Sequence, residues 1–206
     1  MKRPTLSAAF LLFFLSIPLP LWPDVFSFRA DRMSAGSAAG KEITVLSGNA
    51  EVKSDSILLR ADRIEIQGDD NQFIDCIGNV WGVEEEKNIS FTTQRLRYDR
   101  KLKLVRLEGD SSLEDKDNGM VAKARFIEYD DEAEIAVFQI SVRLFKDDLI
   151  CRSDYSVYRR QEQLLDLSGF PVVFKKSDEF RADRIRVDLE TNDVTMEGSV
   201  SGTIKD

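Results

Sequence analysis

The sequence predicts an all-β chain assembled as a stack of antiparallel hairpins, and three observations predict it. A unit of about thirty residues recurs about six times after Phe28, and Gly48, Gly78, Gly109, Gly169 and Gly198 fall in register, with Gln139 in the remaining slot. A second column, Asp31, Asp62, Gln94, Arg125, Asp154 and Asp183, keeps step upstream of it, three times inside the tripeptide Ala-Asp-Arg. Within each unit, branched and aromatic residues alternate with polar ones on either side of a turn cluster, the pattern of a half-buried hairpin.

Residues 1–27 read as an export signal. Lys2 and Arg3 start it, an apolar run covers 8–17, and Pro18, Pro20 and Pro23 break any helix before Val25 and Ser27, which suit a cleavage site ahead of Phe28. The run is shorter than the roughly 20 residues a spanning helix needs. Residues 28–206 are then expected to form a single periplasmic domain; the alternative is an uncleaved anchor that keeps residues 6–22.

Counting outward by twos from each glycine selects one face of the second strand of each hairpin. The first copy contributes Thr44, Leu46, Ala50 and Val52, with residues 35–40 read as an irregular loop ahead of them. In the second copy, Leu59 and Ala61 share one parity while Ile64 and Ile66 take the other; Gly68-Asp69-Asp70-Asn71 turns the chain into Ile74, Cys76, Val80 and Gly82. The third copy repeats this with Phe91 and Thr93, then Leu96 and Tyr98, a turn at Asp99, and Val105, Leu107, Ser111 and Leu113. In the fourth, Ala122 and Ala124 give way to Ile127 and Tyr129. Centring the next strand on Gln139 selects Ile135 and Val137, while Phe138, Ile140, Val142 and Leu144 fill the opposite parity, so this strand either slips register or buries both faces. The fifth copy supplies Leu165, Leu167, Pro171 and Val173. The sixth supplies Phe180 and Ala182, then Ile185 and Val187, and after a turn at 190–193 Val194, Met196 and Val200.

An apolar phase that jumps by one residue at Ala-Asp-Arg keeps the same face inward only where the strand bulges or bends. The glycine on the partner strand permits the same bend. Each strand therefore turns a corner and lays one half on each of two facing layers, giving a folded-over trough about 55 Å long at the usual strand spacing, with open ends.

Composition excludes more than it assigns. With 29 basic and 37 acidic residues and a net charge of −8, the chain is a poor ligand for nucleic acid or an anionic membrane surface. It has no histidine, only two cysteines, and no phosphate-binding loop or nucleophile elbow, so no enzyme activity, cofactor or metal is expected. Cys76 and Cys151 stand three repeats apart, beyond disulfide reach, and read as small apolar strand residues. The aspartate column is expected to accept backbone or arginine hydrogen bonds at the corner rather than to bind calcium.

The segments LLRADRIEI, IGNVWG and FRADRIRVDLETNDVTMEGSV, with their order and spacing, resemble the LptA/OstA family across nearly all of residues 28–206. The resemblance implies a V-shaped, open β-jellyroll, a taco-like solenoid, in the periplasm. It also implies lipopolysaccharide or a related amphipathic glycolipid as cargo, moved from inner to outer membrane with its acyl chains in the groove. LptC-like and LptD-like partners, and further copies of the chain end to end, would dock on the terminal strand edges. Residues implied as groove lining are Leu46, Val52, Leu59, Ile64, Ile66, Ile74, Val80, Phe91, Leu96, Leu107 and Leu113, and further along Ile127, Ile135, Val137, Leu165, Leu167, Val173, Ile185, Val187, Val194, Met196 and Val200. Two other readings stay open: a structural envelope scaffold with a closed β core, and a membrane-anchored LptC-like partner.

Overall fold

The computed structural model describes residues 26–38, 41–54 and 56–205, so the expected export signal lies outside the described residues except at its last two positions. The chain begins with β1 (Phe26–Arg29) and β2 (Arg32–Ala38). Long strands follow: β3 (Lys41–Ser54), β4 (Ile57–Gln67), β5 (Phe73–Glu84), β6 (Ile89–Asp99), β7 (Leu104–Asp115), β8 (Met120–Asp130), β9 (Ile135–Lys146) and β10 (Leu149–Arg159). Short ones close the chain: β11 (Leu164–Ser168), β12 (Val172–Lys175), β13 (Asp178–Arg181), β14 (Arg184–Asp188), β15 (Val194–Glu197) and β16 (Ser201–Thr203). All belong to one 16-stranded sheet. Residues 35–38, expected as irregular loop, are instead paired in β2 against β3, from Ala35↔Thr44 to Ala38↔Lys41.

From β3 to β10 consecutive strands pair as hairpins, and each of these ladders skips at the predicted corner. Between β3 and β4 the register passes from Ser47↔Arg63 to Ala50↔Ala61, and between β5 and β6 from Ile77↔Arg95 to Val80↔Thr93. The bulge folds each strand over. Toward the C-terminus the fold-over interrupts the strand altogether: Tyr155–Arg159 of β10 pairs with β11, while Leu149–Arg152 pairs with β12. One layer thus holds β1, β12, β13 and β16 with the adjoining halves of the long strands, and the other holds β2, β11, β14 and β15 with the remaining halves. The apolar core lies between them.

At the corner, Gly78 has φ 78° and Asn79 has φ 46°, and Gly48 and Asn49 repeat the pair at 75° and 46°. A β-carbon on either glycine would collide with the carboxylate of Asp62 or Asp31. Among the described residues, those two aspartates accept from asparagine side chains rather than from the backbone or arginine donors expected. Asp62 accepts from Asn79 Nδ2 and Asp31 from Asn49 Nδ2, each at 2.9 Å, while Arg63 turns to Glu65 at 2.6 Å. Asparagine suits the position twice over, because it tolerates the left-handed region and carries the donor.

The fourth copy corrects the sequence alignment. Ile140 at φ 67° and Ser141 at φ 57° occupy its corner. Ile140, not Gln139, stands in the glycine column. Centred there, Ala136, Phe138, Val142 and Leu144 all point inward with exposures of 1% or less, and neither a register slip nor burial of both faces is needed. A β-branched residue held at positive φ is strained, and Ile140 recovers little from packing because 58% of it is exposed. Ile140→Gly is therefore expected to stabilise the fold by about 1 kcal/mol, read as a raised urea midpoint with an unchanged denaturant slope; a lower midpoint would contradict the corner assignment.

Candidate functional site: the apolar interior and its mouth

Successive strands bring the interior together one pair at a time. Leu46 faces Ile64 and Val52 faces Leu59 across β3 and β4; Cys76 faces Leu96 across β5 and β6; Leu107 faces Ile127 across β7 and β8. Ile66, Ile74, Val80, Phe91, Leu113, Leu165, Leu167, Val173, Ile185 and Val187 complete a continuous lining in which each side chain is at most 4% exposed. Val194 and Met196 pack partly buried against its last hairpin. Three expected lining positions lie elsewhere. Ile135 and Val137 belong to the half-buried outer face, displaced there by the one-residue offset at Ile140, and Val200 is 56% exposed because it sits at the last corner between β15 and β16.

Both cysteines are free and buried in this lining. Burial pushes the thiols up, Cys151 to about 12 and Cys76 beyond that, so neither is a thiolate at neutral pH.

Opposite the corner, the two layers approach again at their hairpin turns and form the mouth of the V. Here the inward positions become polar: Ser54, Glu84 and Asp115 end β3, β5 and β7, all at 2% exposure or less. Tyr98, Tyr129 and Tyr158 face them from the other layer, each two residues beyond an inward aliphatic or serine position. Ion pairs then stitch the layers together. Arg160, in the turn after β10, bonds Asp115 at 2.9 Å, Asp117 at 2.9 Å, Glu134 at 3.1 Å and the Lys87 carbonyl at 2.9 Å. Lys87, after β5, reaches Asp131 at 2.7 Å and Glu134 at 3.8 Å. Further stitches run from Arg100 Nε to Ser54 Oγ at 2.7 Å, from Tyr158 OH to Asp115 at 3.0 Å, and from Lys175 Nζ to the Asn192 carbonyl at 2.9 Å. The Tyr129 hydroxyl is buried with no hydrogen-bond partner among the described residues.

Burial raises the pKa of the Glu84 carboxyl; a bond from Ser56 Oγ at 2.6 Å pulls the other way but does not cancel it. A carboxyl whose folded pKa exceeds its unfolded one favours folding below the unfolded value, and that contribution is lost as pH rises through the folded pKa. Glu84→Gln is therefore expected to stabilise the protein at neutral pH, with the difference vanishing below the ordinary glutamate range, as urea titrations at a series of pH values would show. A constant difference at all pH values would contradict the burial argument.

Surface hollows lie on the outer faces. One of about 430 Å³ is bounded by Tyr155, Arg159, Asp166, Arg184, Arg186 and Glu197, and two of its cations are committed: Arg186 and Arg159 both bond Asp166. Chemically, the interior offers apolar surface whose two thiols stay protonated at neutral pH, and the mouth offers charge without a metal cluster among the described residues. The polar mouth went unread in the sequence, although Ser54, Glu84 and Asp115 share parity with Val52, Gly82 and Leu113 and recur at the repeat spacing.

The family model described as OstA-like protein matches residues 24–169. Among curated proteins no relative is found. Of the solved structures, LptH, the LptA-homologous periplasmic component of the conserved lipopolysaccharide transport device from Pseudomonas aeruginosa, aligns at 12% identity over 88% of this chain and 96% of its own, with a TM-score of 0.24.

Proposed function

The chain belongs to the OstA-like protein family, and from that premise we propose that it is a non-enzymatic periplasmic carrier of lipopolysaccharide or a related amphipathic glycolipid, holding the acyl chains between its two layers. One observation carries the reading: an apolar interior runs from Leu46 to Val187, interrupted near the corner by the paired hydroxyls of Thr93 with Ser111 and Ser153 with Ser156. Each methylene moved from water into such an interior gains roughly 0.8 kcal/mol. An acyl chain needs no catalytic group to be held.

The ends suit handover. The first pass, β1 with β2, and the last, β15 with β16, have outer backbone edges with no strand partner among the described residues. An LptC-like protein at one end, an LptD-like protein at the other, or a second copy of this chain would continue the sheet there. Otherwise such edges invite aggregation.

Lipid extracted from chain purified out of its native envelope, identified by mass spectrometry, tests the proposal. Stoichiometric acylated glycolipid is the expected result, and chain free of lipid across several gentle preparations would overturn it. A closed structural scaffold is the second reading, favoured by the nearly complete burial of the lining; it predicts assembly through the terminal strands with no lipid retained.

A further inference from the structure

We infer that the mouth is a polar latch, closed in this structure, whose parting at Lys87 and Arg160 admits acyl chains to the interior; the inference rests on the carrier reading above. With Leu46, Ile64, Ile74, Phe138 and Leu144 all at 0% exposure, no chain enters unless the layers move. Their other border is built to move. Glycine or asparagine at positive φ recurs along the corner at Gly48, Asn49, Gly78 and Asn79, and positions that absorb backbone rotation are where hinges form.

The mouth has the chemistry of a releasable contact. Buried ion pairs hold two surfaces less tightly than apolar packing of the same volume, because desolvation offsets most of the attraction. Arg160 is 13% exposed and its partner Asp115 0%, so this pair carries that cost in full. The Tyr129 hydroxyl, without a partner among the described residues, and the Asn192 side-chain oxygen beside the Lys175 stitch add unsatisfied groups to the closed state. Parting the layers hydrates all of them. An apolar rim would instead expose hydrocarbon on opening and resist it.

The stitches also have a direction. Lys87 in the turn after β5 meets Asp131 and Glu134 in the turn after β8, and Asp115 after β7 meets Arg160 after β10. Both cross the same offset along the trough. Arg160 also bonds the Lys87 carbonyl and Glu134, so the two stitches share partners and part as a unit.

Cys76 and Cys151, buried in the lining, report opening without any cargo. In the purified full chain, Lys87→Ser with Glu134→Ser removes these contacts without adding apolar surface and loosens the latch. Lys87→Cys with Glu134→Cys, joined by a short bis-maleimide, locks it. Maleimide labelling of Cys76 and Cys151, read peptide by peptide, is expected to quicken about tenfold or more in the loosened variant at a rate insensitive to low urea, the mark of local opening. Locking is expected to slow labelling and to block uptake of a fluorescent fatty-acid probe. Labelling that rises steeply with urea in every variant reports global unfolding and overturns the latch, as does probe uptake by the locked protein at the unlocked rate. Fast labelling of the loosened variant with no probe bound supports the latch and sinks the carrier reading instead.

Discussion

Phe138→Ala is expected to cost about 4 kcal/mol of folding stability, while Val137→Ala, one position earlier, costs under about 1 kcal/mol. Phe138 is 0% exposed between the layers, flanked on its own strand by buried Ala136 and Val142. Truncating it leaves a cavity in a region already close-packed on both sides, so the lost transfer energy and the void add together. Val137 pairs with Val157 on the outer face, where water replaces the two lost methyl groups at little cost. Urea unfolding of the two variants decides between the parities. Equal losses, or the larger one at Val137, would return Gln139 to the glycine column and undo the corner at Ile140.

Arg160→Met is expected to destabilise the fold by about 3–5 kcal/mol, because it leaves Asp115 buried without its cation. The arginine is permanently charged: desolvation lowers its pKa, but bonds to Asp115 and Glu134 outweigh that and hold it raised. Asp115 keeps bonds from Tyr158 OH and Asn118, which stabilise a carboxylate but do not neutralise it. Pairing the change with Asp115→Leu removes both charges, and most of the loss should return, since apolar groups of similar volume replace a buried ion pair at small cost. A double variant as unstable as the single one would show that Arg160 acts through its bonds to Glu134, Asp117 and the Lys87 carbonyl.

The corners were legible in the sequence because a bend demands something no other position does. Glycine recurs where φ is positive, and the phase jump at Ala-Asp-Arg marks the bulge on the partner strand. The same logic misplaced the fourth copy. Ile140 occupies a left-handed position that its residue type disfavours, so glycine spacing alone runs the column through Gln139 and draws Ile135 and Val137 inward. Parity alone, with Phe138, Val142 and Leu144 in phase, held the right answer. The mouth was hidden for a different reason. Glu84, Asp115 and Arg160 look like solvated strand ends, and only the folded-over arrangement brings a turn of one layer against a turn three strands further along the other. Hairpin repeats fix neighbours within a sheet; they leave the facing of its two halves unspecified.

A lipid carrying a diazirine at the middle of an acyl chain, loaded onto the unmodified full chain, photolysed and mapped by peptide mass spectrometry, tests the central claim most directly. Attachment to interior residues such as Leu107, Phe138, Leu144 and Ile185 is the predicted result. Attachment confined to outer positions such as Val137, Phe174 and Val200 would contradict it, because the lipid would then be riding on the surface of a closed core.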